Sequence, residues 1–181
     1  MPPSLRHSFT DAATANRLPA IYSFTPFVEA GGLMCSKGIE LNPSLAFGYH
    51  VLCFTRICLG EPEAAIQAIE TAIRISPNDV VLPVWLSLLS TGHYLARNYE
   101  KAAEVASLGV QRSPSYSIGW RGLASALGQL GRLDEAREAL EQFLARTPGF
   151  TSEPAVRLGT FRDEAVFQHW LEGLRKAGWK G

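Results

Sequence analysis

His50 and Cys53 are residues whose types and spacing could support covalent chemistry. They lie three positions apart, so they would be neighbours on one face if this segment is a helix. A cysteine thiolate activated by an adjacent imidazole is a common nucleophile in enzymes. The position of Cys53 recurs elsewhere in the chain as a small residue, however, and packing alone explains a small side chain there. The sequence therefore favours a structural Cys53 and predicts no catalytic residue.

The other residues with reactive or metal-binding side chains are scattered. The three cysteines, Cys35, Cys53 and Cys58, form no C-x-x-C pair, and the four histidines are far apart. The chain also lacks a glycine-rich phosphate loop, a G-x-S-x-G elbow and an H-E-x-x-H helix. We therefore expect no metal ion, no cofactor and no enzymatic activity. The odd number of cysteines is typical of a reducing compartment.

Composition argues against two further classes of protein. Lys plus Arg and Asp plus Glu each number 17, whereas nucleic-acid binders usually present a basic face. The same balance argues against attraction to anionic membranes. The chain starts without the apolar run of a signal peptide, and its most apolar window, Val80 to Leu89, is too short for a membrane-spanning helix. The sequence predicts a cytoplasmic protein that binds neither nucleic acid nor membrane.

One helical pattern occurs three times and organises the chain. Its copies span Gly60–Pro77, Arg97–Pro114 and Gly131–Pro148. Each copy places an alanine twelve residues before its closing proline, at Ala65, Ala102 and Ala136. Counted from Pro43, the closing prolines are spaced 34, 37 and 34 residues apart. Because proline cannot continue a helix, each of them marks a helix end and the start of the next unit.

A second helix is predicted between consecutive prolines. We align these segments on their closing prolines. All three then have a large residue at one position, a leucine three positions later and a small residue directly after the leucine. The large residues are Tyr49, Leu86 and Trp120, the leucines are Leu52, Leu89 and Leu123, and the small residues are Cys53, Ser90 and Ala124. This spacing predicts one apolar helical stripe in each unit. Each unit is then an antiparallel helical hairpin, and the fold class is an all-α solenoid of stacked hairpins.

The pattern also predicts the organisation of the chain. Residues 1–26 are expected to form a poorly ordered extension with one helical turn near Asp11 to Leu18. The repeat array covers residues 27–148, as a half repeat (27–43) and three full repeats (44–77, 78–114 and 115–148). Residues 149–181 are expected to form a C-terminal cap over the open end of the stack, with a short helix at Glu153 to Leu158 and a long helix at Arg162 to Ala177.

The second repeat carries three extra residues, which we place in the loop Asn78 to Val81. Proline is favoured at the first position of a helix, so the first helix of this repeat should start near Leu82 or Pro83 and run to Arg97. The alternative is a longer helix that includes Pro83 in its first turn.

These features resemble the tetratricopeptide repeat over Phe27 to Pro148. The first full unit matches the family pattern at Tyr49, Leu52, Cys53, Gly60, Ala65, Ala72 and Pro77, and the third matches it at Trp120, Leu123, Ala124, Gly131, Leu133, Ala136 and Pro148. In the middle unit Arg97 replaces the turn glycine and Gly109 replaces the late alanine. The resemblance implies a curved stack whose concave face, lined by the first helices, binds peptides or partner helices.

A narrower resemblance concerns the end of the array. The 34, 37, 34 arrangement, followed by LGRLDEAREALEQFLARTPGFT and FRDEAVFQHWLEGLRKAGW, is similar to the C-terminal tetratricopeptide segment of bacterial class III adenylate/guanylate cyclase-like proteins. This resemblance implies an alternative function, that of a detached regulatory module. No residue here corresponds to the metal-binding aspartates of a cyclase domain.

The family pattern places eight residues on the concave face, where we expect a protein or peptide partner to bind. These residues are His50, Phe54, Ser87, Thr91, Tyr94, Arg121, Ser125 and Gln129. Phe54 and Tyr94 have an alternative role, which is to pack against the inserted segment or against each other. A further alternative is self-association through the N-terminal end, because Phe27 to Leu41 lacks a hairpin partner and would leave an apolar edge open.

Overall fold

The computed structural model describes residues 34–148, 150 and 164–181. Within these ranges the chain forms eight α-helices and no strand. In chain order they are α1 (Met34–Leu41), α2 (Ala46–Leu59), α3 (Pro62–Ile75), α4 (Leu82–Leu95), α5 (Tyr99–Arg112), α6 (Ser117–Gln129), α7 (Leu133–Arg146) and α8 (Glu164–Lys176). None of these described helices is long and apolar enough to cross a membrane. The all-α fold class predicted from the sequence is confirmed.

Six of the helices form three antiparallel hairpins, α2–α3, α4–α5 and α6–α7. The hairpins stack in chain order, because α3 packs on α4 and α5 packs on α6. The first helices also contact one another, α2 with α4 and α4 with α6. We call the surface that α2, α4 and α6 share, on the side away from the second helices, the inner wall.

Small residues allow the two helices of each hairpin to approach closely. Ala65, Ala102 and Ala136, the alanines of the repeated pattern, are each 0% exposed. The small residues of the first helices, Cys53, Ser90 and Ala124, are also buried. Ser90 satisfies its hydroxyl by donating a hydrogen bond to the carbonyl of Ala102 at 2.9 Å. The repeated small positions are therefore explained by packing between the two helices of each unit.

The turns inside the three hairpins share one backbone conformation. Gly60 and Gly131 have φ angles of 75° and 74°, in the left-handed region where glycine is favoured. The corresponding residue of the middle unit is Arg97, whose φ is 61°. The middle turn therefore has the same left-handed φ as the other two, but at a residue with a side chain. The Cβ atom makes this conformation sterically unfavourable.

The insertion of the second repeat lies mainly in the loop before α4, as the sequence predicts. This loop covers residues 76–81, while the equivalent connections cover only residues 42–45 and 113–116. Asp79 holds the loop together, because its carboxylate accepts hydrogen bonds from the Ser76 hydroxyl at 3.2 Å and the Val81 amide at 3.0 Å. The start of α4 at Leu82 is confirmed, and the helix ends at Leu95, two residues before the predicted Arg97.

The last helix, α8, lies across the inner wall. It packs mainly on α6, reaches α4, and places Val166 against Gly60 at the end of α2. The sequence correctly predicts a helix here, but it leads us to expect a cap over the open end of the stack. The inward position follows from apolar residues that join the core of the last two hairpins, namely Phe167, Trp170, Leu171 and Leu174.

Three predictions lie outside the described residues. They are the helical turn near Asp11 to Leu18, the part of the half repeat that precedes Met34, and the short helix at Glu153 to Leu158.

Candidate partner-binding site

The eight residues predicted for the concave face all lie on the first helices of the three hairpins. His50 and Phe54 belong to α2, Ser87, Thr91 and Tyr94 to α4, and Arg121, Ser125 and Gln129 to α6. The structure divides them into two groups, because α8 covers part of the wall. Tyr94, Arg121, Ser125 and Gln129 contact α8 or approach its backbone, while His50, Phe54, Ser87 and Thr91 lie on the part of the wall nearer α2.

Tyr94 is the centre of the covered part. Its side chain is only 3% exposed, and its hydroxyl donates a hydrogen bond to the backbone carbonyl of His169 in α8 at 2.8 Å. The same hydroxyl accepts a hydrogen bond from the Gln129 amide at 3.1 Å. Burial raises the pKa of Tyr94, so the phenol stays protonated and keeps its role as a donor. Tyr94 therefore ties α8 to the wall and is not available to a partner.

Gln129 and Ser125 complete the covered part of the wall. The Gln129 side-chain oxygen accepts a hydrogen bond from the Lys176 ammonium of α8 at 2.7 Å. Ser125 is 2% exposed, and its hydroxyl donates to the carbonyl of Arg121 at 3.0 Å, within α6. The backbone of α8 passes so close to Ser125 that no side chain fits between the two helices at Gly173. Ser125 is thus part of the interior of the protein, while Gln129 is partly exposed and engaged by α8.

Arg121 lies at the edge of the surface that α8 covers. Its guanidinium carbon is 4.7 Å from the centroid of the Trp170 ring, which is the distance of a cation–π contact. Burial lowers the pKa of Arg121 to about 10, and the nearby Tyr116 phenol offsets part of this effect. The guanidinium remains protonated at neutral pH, and Arg121 as a whole residue is partly exposed.

His50 occupies the α2 side of the wall and is held by two aromatic residues. The indole of Trp85 donates a hydrogen bond to His50 Nδ1 at 2.9 Å, and the Phe47 ring stacks on the imidazole with a centroid distance of 5.2 Å. Because Nδ1 accepts this bond, the neutral ring carries its proton on Nε2. Burial lowers the pKa of His50, which favours the same neutral form.

The chemistry of a Cys–His nucleophile is disfavoured by the surroundings of Cys53. The thiol is 1% exposed, and burial together with the nearby Cys58 raises its pKa to about 12. The thiolate is therefore scarce at neutral pH, and His50 Nδ1 is already engaged by Trp85. Cys53 acts as the small packing residue that the repeat pattern requires.

The uncovered part of the wall, which we call the open strip, consists of His50, Phe54, Thr91 and the exposed side of Arg121. Each of these side chains is partly exposed. Thr91 donates a hydrogen bond to the carbonyl of Ser87 at 2.9 Å, which leaves its methyl group and hydroxyl oxygen on the helix surface. Ser87 itself is 6% exposed and lies near the Tyr116 phenol. The strip is mixed in character, with an aromatic ring, an imidazole, a hydroxyl and one cation.

A second concave region lies on the opposite side of the stack, between α5, α6 and α7. This cleft has a volume of about 500 Å³ and an apolar floor that includes Trp120, Leu123 and Leu127. Its rim carries Glu104 and Glu135, which are paired with Lys101 and Arg132 respectively. We call it the outer cleft. It was not predicted from the sequence.

The sequence analysis also missed Trp170, His169 and Lys176, the residues of α8 that contact the inner wall. Their contacts join positions far apart in the chain, such as Lys176 with Gln129 and Trp170 with Arg121. One signal was present in the sequence, because Gly173 stands in the middle of an otherwise strong helix at a cost of about 1 kcal/mol. A glycine in such a place often marks a close approach by another backbone.

Comparisons with known proteins agree with this geometry. The family model "Tetratricopeptide repeat" matches residues 58–79 and 122–150. Arg97 and Gly109, where the middle unit departs from the pattern, lie outside both matched segments. A search of curated proteins gave no match.

Three solved structures are similar to this chain over most of their length. "Crystal structure of MamA" has a TM-score of 0.61 and 14% identity, covering 93% of this chain and 91% of that one. "Crystal structure of MamA protein" has a TM-score of 0.58 and 16% identity, with coverages of 96% and 90%. "Crystal structure of YrrB: a TPR protein with an unusual peptide-binding site" has a TM-score of 0.55 and 18% identity, with coverages of 95% and 91%. Two segments of the chain therefore match the tetratricopeptide repeat model, and the chain has the fold of an α-solenoid. These findings give no support to the narrower resemblance to cyclase-like proteins.

Proposed function

We propose that this protein is an interaction module that binds a peptide or a partner protein on the open strip of its inner wall. The observation that carries the proposal is the division of the wall by α8. The first helices of all three hairpins lie side by side, and α8 covers the wall near Tyr94 and Gln129 while leaving His50, Phe54 and Thr91 at the surface. A similar solved structure is described as having a peptide-binding site, which supports the same class of function.

The chemistry of the strip suits a short peptide segment. Phe54 offers an aromatic contact, and Thr91 and His50 offer hydrogen bonds that a peptide backbone or a polar side chain can satisfy. The other members of the predicted set, Tyr94, Ser125 and Gln129, would act indirectly by holding α8 in place. Binding is therefore the activity for which the open strip offers contacts.

A selection from a random peptide library, carried out on the immobilised full-length protein, tests this proposal. The selected peptides should lose at least about tenfold in affinity when Thr91→Arg fills the open strip. Leu108→Arg is the matched control, because Leu108 is 43% exposed on α5 and lies away from the inner wall. Peptides that bind Thr91→Arg as well as the unmodified protein, or no selected peptide at all, would contradict a binding site on the strip.

Self-association through the N-terminal end is a second candidate function. Three large apolar residues near α1 and the start of α2 are exposed, with Leu41 at 80%, Leu45 at 42% and Phe47 at 47%. Such a group of apolar side chains favours association between copies. Sedimentation at rising protein concentration measures it directly, and Leu41→Glu should shift any dimer towards monomer. A monomer at all concentrations would reject this function.

Three expectations from the sequence stay predictions. They are the cytoplasmic location, the absence of nucleic-acid binding, and the regulatory role beside a nucleotide cyclase. The last of these has only the sequence resemblance behind it.

A further inference from the structure

The outer cleft follows one face of each of the three helices that form it. On α5 the residues that line it are Ala103, Glu104, Ser107, Val110 and Gln111. Positions 103 to 111 extend over about 12 Å at the rise of an α-helix. The cleft is therefore about two helical turns long, and its volume of about 500 Å³ accommodates several side chains.

Trp120 is a fixed aromatic residue on the floor of the cleft. Its indole N–H donates a hydrogen bond to the carbonyl of Pro114 at 2.8 Å, and the Arg146 guanidinium carbon is 5.5 Å from the ring centroid. The polar atom of the indole is therefore satisfied within the protein, while the residue is partly exposed and lines the cleft. Tryptophan rings held in concave sites are common hot spots of binding energy. The Trp120 end of the cleft thus suits an apolar side chain of a partner.

Acidic side chains line the cleft at some distance from Trp120. Glu135 and Glu138 lie in the first half of α7, while Trp120 lies in the first turn of α6. Because α6 and α7 run antiparallel, the two carboxylates lie about one to two helical turns from the indole along the cleft. Glu104 and Glu135 are each paired with a cation. Glu138 also lines the cleft, and no residue that the structure describes pairs with it.

A helix fits this cleft better than an extended segment does. The walls are themselves helices, and the backbone groups inside a helix are bonded to one another, so they offer few partners to the backbone of an extended chain. A bound helix satisfies its own backbone and presents only side chains. Apolar residues at positions i, i+3, i+4 and i+7 of such a helix form a stripe of about two turns, which matches the length of the cleft.

We propose that the outer cleft binds an amphipathic helix of a partner protein, with an apolar side chain on Trp120 and a Lys or Arg beside Glu138. This surface is separate from the open strip, so the proposal goes beyond the proposed function. Charge complementarity selects a basic helix, because three of the four charged residues that line the cleft are acidic. An acidic helix or a nucleic acid would meet like charge there.

A displayed library of alanine-based helical peptides, randomised along one face and selected on the immobilised full-length protein, tests the proposal. We expect selected peptides to carry a large apolar residue and a Lys or Arg about one to two turns away from it. Ser107→Arg should weaken the best peptide by at least about tenfold, because the new side chain fills the cleft and repels the basic residue. Thr91→Arg is the matched control, since it makes a similar change on the inner wall and should leave this affinity unchanged.

A second pair of variants tests the charge without filling the cleft. Glu138→Gln should weaken the basic peptide by about two- to fivefold, which is the usual range for an exposed ion pair. It should have no effect on a peptide whose Lys or Arg is replaced by Gln. Glu141→Gln is the control for the loss of one negative charge, because Glu141 is exposed on the same helix but does not line the cleft.

Several results would overturn the proposal. A selection that yields no helical peptide would do so, as would peptides that bind the Ser107→Arg protein as well as the unmodified one. Equal effects of Glu138→Gln and Glu141→Gln would reject the basic contact. A dimer in sedimentation that Ser107→Arg converts to monomer would assign the cleft to a second copy of this chain. Peptides that respond only to Thr91→Arg would overturn this inference and leave the proposed function standing.

Discussion

Gly128 and Gly173 lie against each other where α6 and α8 cross. A Cβ atom added to Gly128 would lie 2.3 Å from the carbonyl oxygen of Gly173, and one added to Gly173 would lie 2.5 Å from the carbonyl oxygen of Ser125. Both distances are far below van der Waals contact. The covered inner wall therefore depends on the absence of a side chain at two positions that are 45 residues apart in the chain.

Replacing Gly128 with alanine should separate α6 from α8. We expect a loss of at least about 2 kcal/mol in the free energy of unfolding, because the new methyl group overlaps backbone atoms that cannot rotate away. Urea denaturation followed by circular dichroism measures this change. Gly122→Ala is the control in the same helix, because its Cβ would lie 3.6 Å from the nearest atom, Ser90 Oγ. Alanine there should stabilise the protein by up to about 1 kcal/mol. Equal effects of the two substitutions would contradict the close crossing.

Removing the hydroxyl group of Tyr94 should weaken the attachment of α8. Tyr94→Phe removes the hydroxyl group that donates to the carbonyl of His169 and accepts from the amide of Gln129, at a side chain that is 3% exposed. We expect a loss of about 1–3 kcal/mol in the free energy of unfolding. Tyr99→Phe is the control, since the Tyr99 ring packs on Tyr94 at a centroid distance of 5.5 Å but its hydroxyl has no role in this network. If both variants are as stable as the unmodified protein, the Tyr94 hydrogen bonds contribute little.

The positive φ of Arg97 predicts a stabilising substitution. Glycine adopts the left-handed conformation without the steric cost that a side chain imposes, as Gly60 and Gly131 do in the equivalent turns. Arg97→Gly should therefore raise the free energy of unfolding by about 0.5–1 kcal/mol, net of the greater freedom of glycine in the unfolded chain. Ala96→Gly is the neighbouring control. Its φ is −73°, so glycine brings no relief there and should destabilise the protein. Differential scanning calorimetry distinguishes the two, and a lower melting temperature for Arg97→Gly would contradict the strained turn.

The pKa of His50 predicts a dependence of stability on pH. Burial lowers this pKa in the folded protein, so the unfolded chain binds the proton more readily. The contribution of His50 to stability is complete above the unfolded pKa of about 6.5 and is lost as the pH falls below it. Unfolding free energies measured at pH values of about 7.5 and 5.5 give the size of this loss.

His50→Gln should show a smaller loss over that interval, because glutamine does not titrate and its oxygen can still accept from the Trp85 indole. His93→Gln serves as a comparison. Burial also lowers the pKa of His93, so this variant should remove a separate part of the dependence. A His50→Gln protein that loses as much stability as the unmodified protein would contradict the assignment to His50.

The sequence was sufficient to predict the hairpins, because each is built from contacts between residues close in the chain. The repeated alanines and prolines encode helix packing and helix ends locally, which is why the positions of Ala65, Ala102 and Pro83 were interpreted correctly. The placement of α8 was not predictable in the same way. Its amphipathic pattern shows that one face is buried, but the pattern contains no information on which surface covers that face.

The same limit applies to the candidate site. The repeat pattern correctly assigned eight residues to the first helices, but it could not show that Tyr94 and Ser125 are buried under α8 or that Gln129 bonds to Lys176. The tertiary neighbours of Arg121 could not be predicted from the sequence either. Trp170 comes from a segment outside the repeats, and Tyr116 precedes α6 in a connecting turn, where periodicity gives no signal.

The path of α8 also affects how the array unfolds. In most solenoids each unit contacts only the units next to it, so the ends can fray while the middle stays folded. Here one helix contacts Gly60 in the first hairpin, Tyr94 in the second and Gly128 in the third. Detaching any one hairpin therefore also breaks its contacts with α8. Because of these long-range contacts, the three hairpins should unfold together in a single transition. The chain should also fold more slowly than one with purely local contacts.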